Sequence, residues 1–172
     1  MNLFNPFKKE KDDKKTKNVL VALDGSKNAT KAFDWYINNS PEVKNDQIIL
    51  FHNLSPPSNI SITDDGDLDF DISDFEKEIQ NVQAEATKME SFFMNECQRN
   101  QLKCKWVNQW GKPNHSILKA VDKFQADLVV MGSRGLNALS RTILGSVSTY
   151  VLHHIHVPLL IVPFTHIETK NK

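Results

Sequence analysis

Cysteine is scarce in this 172-residue chain, which has only Cys97 and Cys104, with six residues between them. Two cysteines without a C-x-x-C arrangement argue against a disulfide framework and against a structural zinc site; they read as reduced thiols buried as small hydrophobes. Net charge is missing as well, since 21 Lys plus Arg balance 21 Asp plus Glu. No overall field therefore favours nucleic acid or an anionic membrane as partner. Long apolar runs are absent: nothing approaches the roughly 20 residues needed to cross a bilayer. The stretch from Met1 to Lys17 is too charged and too poor in apolar residues for a secretory signal. These absences predict a cytoplasmic protein with neither nucleic acid nor membrane as partner. Internal repeats are lacking, and so are the G-x-x-x-x-G-K-S/T phosphate loop and the G-x-S-x-G nucleophile elbow, so no dedicated hydrolytic centre is expected.

What the chain does contain is a hydrophobic share of 40% and a charged share of 24%, ordinary for one globular domain. Its charges are unevenly placed. Met1 to Asn18 holds six lysines against three acids, whereas Ser55 to Gln80 holds eight acids against one lysine. Blocks of this kind, poor in apolar residues, read as solvated tail and loop. The expected organisation is a lysine-rich tail over 1–17, one domain over 18–164 carrying an acidic loop over 53–72, and a short tail over 165–172.

Within the domain, apolar runs alternate with helical periodicity. Val19 to Leu23 reads as a buried strand closing on Asp24-Gly25-Ser26. Ala32, Phe33, Tyr36 and Ile37 then recur at helical spacing, and Gln47 to His52 is a second buried strand. Ser73 and Glu76 fit a capping box opening a long helix, on which Phe75, Ile79, Val82, Ala86, Met89, Phe93 and Cys97 form one apolar stripe suited to core packing. Leu102, Cys104 and Trp106 alternate with lysines as in a strand at a sheet edge. A helix with Ile117, Leu118, Val121 and Phe124 on one face, an apolar strand over Asp127 to Met131, a helix from about Ser146 to His156 and a strand over Pro158 to Val162 complete the series. Strict alternation of this sort predicts an α/β fold: a five-stranded parallel sheet, doubly wound, with helices on both faces.

In such sheets ligands sit beyond the carboxyl ends of the strands, where strand order reverses. The candidates there are Asp24, Gly25 and Ser26 after strand one, and Gly132, Ser133, Arg134 and Gly135 after strand four. A second glycine-serine pair follows at Gly145-Ser146, giving G-x-x-G-x9-G-S. Glycine permits positive φ and close approach of backbone to ligand, while Ser146 and Val147 open a helix whose unpaired N–H groups attract phosphate. The alternative is that these glycines only make a tight turn and Ser146 only caps a helix. Two weaker groupings are His153 with His156 as metal ligands, and His52, His115, Asp24 and Ser26 as a catalytic set.

The run from Asn18 to Ser26, the block from Asp127 to Gly135, the segment Leu144 to Val147 and the run from Pro158 to Pro163 resemble the universal stress protein family. The glycine pattern resembles its ATP-binding branch, in which G-x-x-G-x9-G-S/T holds the phosphates. The resemblance implies strand order 3-2-1-4-5, with Asp24 and Gly132 on adjacent strands. It implies Ala22 and Asp24 beside adenosine, Asn53 meeting the base, Met131 and Gly132 along the ribose, and Gly135, Gly145, Ser146 and Val147 around the phosphates. Arg134 stands outside the glycine pattern but would fork onto phosphate oxygens. The implied ligand is ATP, or AMP or ADP, with Mg²⁺ held by Asp24 through water. The implied role is a nucleotide-dependent switch in stress response, acting on an unidentified protein partner, with slow or no hydrolysis. The alternatives are a nucleotide-free dimeric interaction module of the same fold and a weak ATPase. Either way the strand over 158–163, placed at the sheet edge, is expected to pair with a second copy as a homodimer.

Overall fold

The computed structural model describes residues 16–56, 61–62, 68–69, 72–135 and 144–163. Both predicted tails, apart from residues 16 and 17, and most of the acidic segment lie outside these. Eleven elements follow one another: β1 (Asn18–Leu23), α1 (Lys27–Asn39), β2 (Gln47–Leu54), β3 (Ser61–Ile62), β4 (Leu68–Asp69), α2 (Ile72–Arg99), β5 (Lys103–Trp110), α3 (Pro113–Phe124), β6 (Leu128–Gly132), α4 (Ser146–His154) and β7 (Leu159–Val162). The main sheet runs β5-β2-β1-β6-β7 with every neighbouring pair parallel. This is the expected 3-2-1-4-5 order of a doubly wound α/β domain, and it reverses between β1 and β6.

The central strands are apolar on both faces because both faces are covered. Val19, Val21, Ile48 and Leu50 pack with Phe33 of α1 and Phe93 of α2 on one side. Leu20, Phe51, Val129 and Met131 pack with Ile117 and Val121 of α3 and Val151 of α4 on the other. Truncating such a fully buried side chain, Leu20→Ala for example, removes about 2–5 kcal/mol. Polar groups fix how the helices enter and leave. The Ser26 hydroxyl accepts the Ala29 amide and so caps α1, and Pro113 stands in the first turn of α3, where its missing N–H costs nothing. The buried Tyr36 hydroxyl donates to the Asp46 carboxylate at 2.5 Å, tying α1 to the residue before β2.

Several expectations are corrected. Asn53 is not the start of a loop: β2 continues through Leu54, pairing Asn53 with Gln109 and Leu54 with Trp110. Ser61 and Ile62 pair antiparallel with Leu68 and Asp69, where a structureless loop was expected, because two short strands need no long apolar period. Helix α2 begins at Ile72, so Ser73 stands inside its first turn and not at the N-cap. The thiols are not reduced. Cys97, at the end of α2, and Cys104, near the start of β5, form a disulfide across Cα atoms 6.2 Å apart. The tight turn between them folds the helix end back onto the strand, a proximity that a count of cysteines does not reveal.

Candidate functional site

The turn after β1 is built by three consecutive residues. Gly25 adopts a φ of +80°, a conformation that favours glycine, and lets the chain leave the strand abruptly. Asp24 turns its carboxylate back so that Oδ1 accepts the Ser26 amide at 3.0 Å. Ser26 is thereby committed to capping α1, which removes it from any catalytic set with His52.

On the neighbouring strand β6, Gly132 faces α1 so closely that a Cβ would lie 2.9 Å from the Asn28 carbonyl carbon. Beyond it, a Cβ at Gly135 would stand 2.5 Å from Asp24 Oδ2. The chain then returns: the Gly145 amide donates to the Ser133 carbonyl at 2.8 Å, and the Ser148 hydroxyl donates to the same carbonyl at 3.0 Å. Gly145, not Ser146, is the N-cap of α4, with φ −64°, and makes no side-chain cap. Of the two freedoms that glycine offers, positive φ is not the one used at Gly132, Gly135 and Gly145. Among the described glycines only Gly25 and Gly111 have it, and at Gly132 and Gly135 close packing is the reason for glycine.

These elements surround a cavity of about 650 Å³ at the carboxyl ends of the strands. Ala22 and Asp24 line it from β1 and its turn, and Asn53 from β2. Met131 and Gly132 line it from β6, Arg134 and Gly135 from the loop beyond, and Gly145, Ser146 and Val147 from the start of α4. All ten residues singled out from the sequence meet in one place. The wall also includes His52 on β2, which the sequence offered only as a member of a catalytic set, and residues that sequence reasoning missed as site residues: Val82, Glu85 and Met89 on α2, and Pro113 and Ile117 on α3. Met89 was visible only as part of an apolar stripe, and nothing in the stripe marks which turns face the core and which face a cavity.

The polar side chains of the wall are held from behind. The Asn53 amide nitrogen donates to the Gly111 carbonyl at 2.7 Å, linking the ends of β2 and β5. Asn28 likewise donates to the Arg134 carbonyl at 3.3 Å. The buried Oδ1 atoms of both asparagines accept no hydrogen bond from the protein. Asn108 Oδ1 already accepts from Trp106 Nε1 at 2.9 Å and lies 3.2 Å from His52 Nδ1, so it is His52 that donates there. Burial pushes the His52 imidazole below its ordinary value, against the opposing pull of the Asn108 hydrogen bond and the Asp24 carboxylate. No group of three or more potential metal ligands occurs among the described residues. His153 and His156 do not make one: His153 lies in the last turn of α4, whereas His156 lies beyond the helix and faces Asp122 at 3.6 Å. No described helix is long and apolar enough to cross a membrane.

The sequence model of the universal stress protein family matches residues 15–163. Universal stress protein Sll1388 of Synechocystis is 32% identical over 148 residues, covering 84% of this chain and 96% of that protein. Among solved structures, universal stress protein UspA from Lactobacillus plantarum superposes with a TM-score of 0.69 at 20% identity, over 86% of this chain and 98% of that one. A universal stress protein family protein from Arabidopsis thaliana, solved with AMP bound, superposes with a TM-score of 0.61 at 22% identity, over 91% and 97%.

Proposed function

Since the chain belongs to the universal stress protein family, we propose that its strand-end cavity takes an adenine nucleotide, ATP or else AMP or ADP. Occupancy then biases conformation or the choice of a protein partner in a stress response, with hydrolysis slow or absent. The observation that carries this reading is the meeting of Asp24, Gly135 and the start of α4 around one cavity at the reversal point of the sheet. The AMP held by the Arabidopsis relative supports the same ligand class.

The residues fit such a ligand on physical grounds. A volume of about 650 Å³ suits a molecule the size of a nucleotide. Ala22, Met131 and Asn53 would hold the base and the adjoining sugar, with the Asn53 amide nitrogen engaged by the Gly111 carbonyl and its Oδ1 without a protein partner. Asp24 and Gly132 would meet the ribose. Gly135, Gly145 and the amides of Ser146 and Val147 would face the phosphates, where a helix N-terminus favours negative charge. Arg134, which also lines the cavity, would meet the phosphate oxygens. Asp24 Oδ2 would hold Mg²⁺ through water, since Oδ1 is occupied by the Ser26 amide. We further propose that β7 pairs with a second copy of the chain.

Nucleotide released by denaturing freshly purified protein, read by absorbance and chromatography, is the first test. Calorimetric titration with ATP follows. Gly135→Val, which crowds both Asp24 and the phosphate space, should abolish binding. Ser146→Ala should weaken it roughly five- to thirty-fold, the equivalent of one hydrogen bond worth about 1–2 kcal/mol. A folded Gly135→Val variant that binds ATP as the parent does would make the glycines mere turn formers.

A further inference from the structure

We propose that Cys97 and Cys104 form a reversible thiol–disulfide exchange site for small thiols and disulfides, and that its state is transmitted to the strand-end cavity along a ladder between α2 and β5. The second half rests on the reading of that cavity as a nucleotide site.

The pair is placed for exchange. Cys97 is 2% exposed, inside the core, while Cys104 keeps partial exposure on the edge strand of the sheet. The bridge is not the only tie that holds this region in place. The Leu102 amide donates to the Cys97 carbonyl at 2.9 Å across the turn, and β5 pairs with β2 over its whole length, from Gln47 with Lys103 to Leu54 with Trp110. Both redox states are thus compatible with one fold. Reducing compartments open such a pair and oxidising conditions close it.

The exchange balances as follows. A small thiolate attacks Sγ of Cys104, the S–S bond breaks, and Cys97 leaves as a thiolate; Cys104 then carries a mixed disulfide. A second thiolate attacks the outer sulfur of that mixed disulfide and releases Cys104. The reagent is oxidised to a small disulfide, and the two cysteines gain two electrons and two protons. Oxidation by a small disulfide is the reverse sequence.

The ladder is contiguous. One step back along the apolar stripe from Cys97 is Phe93, and one further is Met89, which lines the cavity. The same face of β5 carries Cys104, Trp106 and Asn108 in alternation. Phe93 stacks on Trp106 with ring centroids 6.3 Å apart and planes 20° apart, and meets Phe33 edge-on at 5.2 Å. Trp106 donates to Asn108 Oδ1, which also holds His52 Nδ1, and His52 lines the cavity. Opening the bridge releases the last turn of α2 and lets Phe93 shift on Trp106, so both the Met89 wall and the His52 wall respond.

The test uses the full chain equilibrated in buffers of reduced and oxidised glutathione. The expected result is a reversible two-electron transition in the folded protein, followed by thiol titration. His52 imidazole resonances should differ between the end states, and ATP affinity should change roughly two- to thirty-fold, the span of coupling through packed side chains. Cys104→Ser should behave as the reduced form whatever the buffer, with Cys97→Ala as the second variant should the first not fold. A bridge that millimolar thiol cannot open without unfolding the protein would overturn the exchange site. His52 resonances identical in both states would overturn the ladder. If the resonances differ but neither state binds ATP, the ladder stands and the nucleotide reading falls.

Discussion

At Gly132 a side chain is excluded by packing before any ligand is considered, because the Asn28 backbone already occupies the space a Cβ would need. Gly132→Ala should therefore lower stability by about 1–3 kcal/mol, whereas Gly145→Ala, whose Cβ would meet Arg134 Cα at an ordinary 3.4 Å, should leave the urea midpoint nearly unchanged. Equal losses in the two variants would contradict this division of roles. His52 gives a pH dependence. Its folded value is depressed, so below about 6.5 the unfolded chain binds a proton that the folded chain refuses, and stability must fall as pH falls through that window. Urea unfolding between pH 5 and 7.5 should show this slope in the parent and a flatter one in His52→Gln; identical slopes would assign the effect elsewhere. The glycine pattern was legible in the sequence because spacing alone carries it. The hydrogen bond of Asn53 to Gly111 was not, because its partner lies 58 residues away and depends on the register of β2 against β5.

Among the elements, β7 is, with β5, one of the two strands that the main sheet leaves paired on one side only. The carbonyls of Pro158 and Val162 accept from the Val129 and Ser133 amides of β6 and its loop. Strand alternation then turns the N–H and C=O groups of Leu159 and Ile161 toward the open edge. If a second copy pairs there, Ile161→Pro removes an outward donor without touching the inner ladder. Sedimentation should show a dimer for the parent and a folded monomer for Ile161→Pro, and a monomeric parent at tens of micromolar would exclude the pairing, by the order of magnitude of such interfaces. Helix and strand identity were legible because each run of apolar residues has only one period, whereas the order of the strands was legible only through the resemblance to the universal stress protein family. The role of α2 was not. Its stripe reads as uniform core, yet Ala86, Phe93 and Cys97 are buried while Val82 and Met89 border the cavity, a division set by where the helix crosses the sheet.

For the molecule as a whole, a ligand that binds only the folded state adds stability by mass action. ATP at a hundred times its dissociation constant should add about 2.7 kcal/mol and raise the melting temperature of a domain this size by roughly 5–11 °C. Scanning calorimetry with ATP and with inorganic triphosphate separates nucleotide recognition from anion binding at a helix end; an equal shift with both would leave the base unread. The central position of β1 has a different kind of consequence. It pairs with β2 soon after it in the chain, but its other edge is covered only by β6, and the amide of Asn18 donates to Asp127, 109 residues later. On a ribosome adding about 5–20 residues per second, that edge is without its native partner for roughly 5 to 20 s. Throughout that interval the nascent chain presents the apolar strand pair β1–β2, so it is in birth, more than in the finished molecule, that this protein is most exposed to aggregation and most in need of a chaperone.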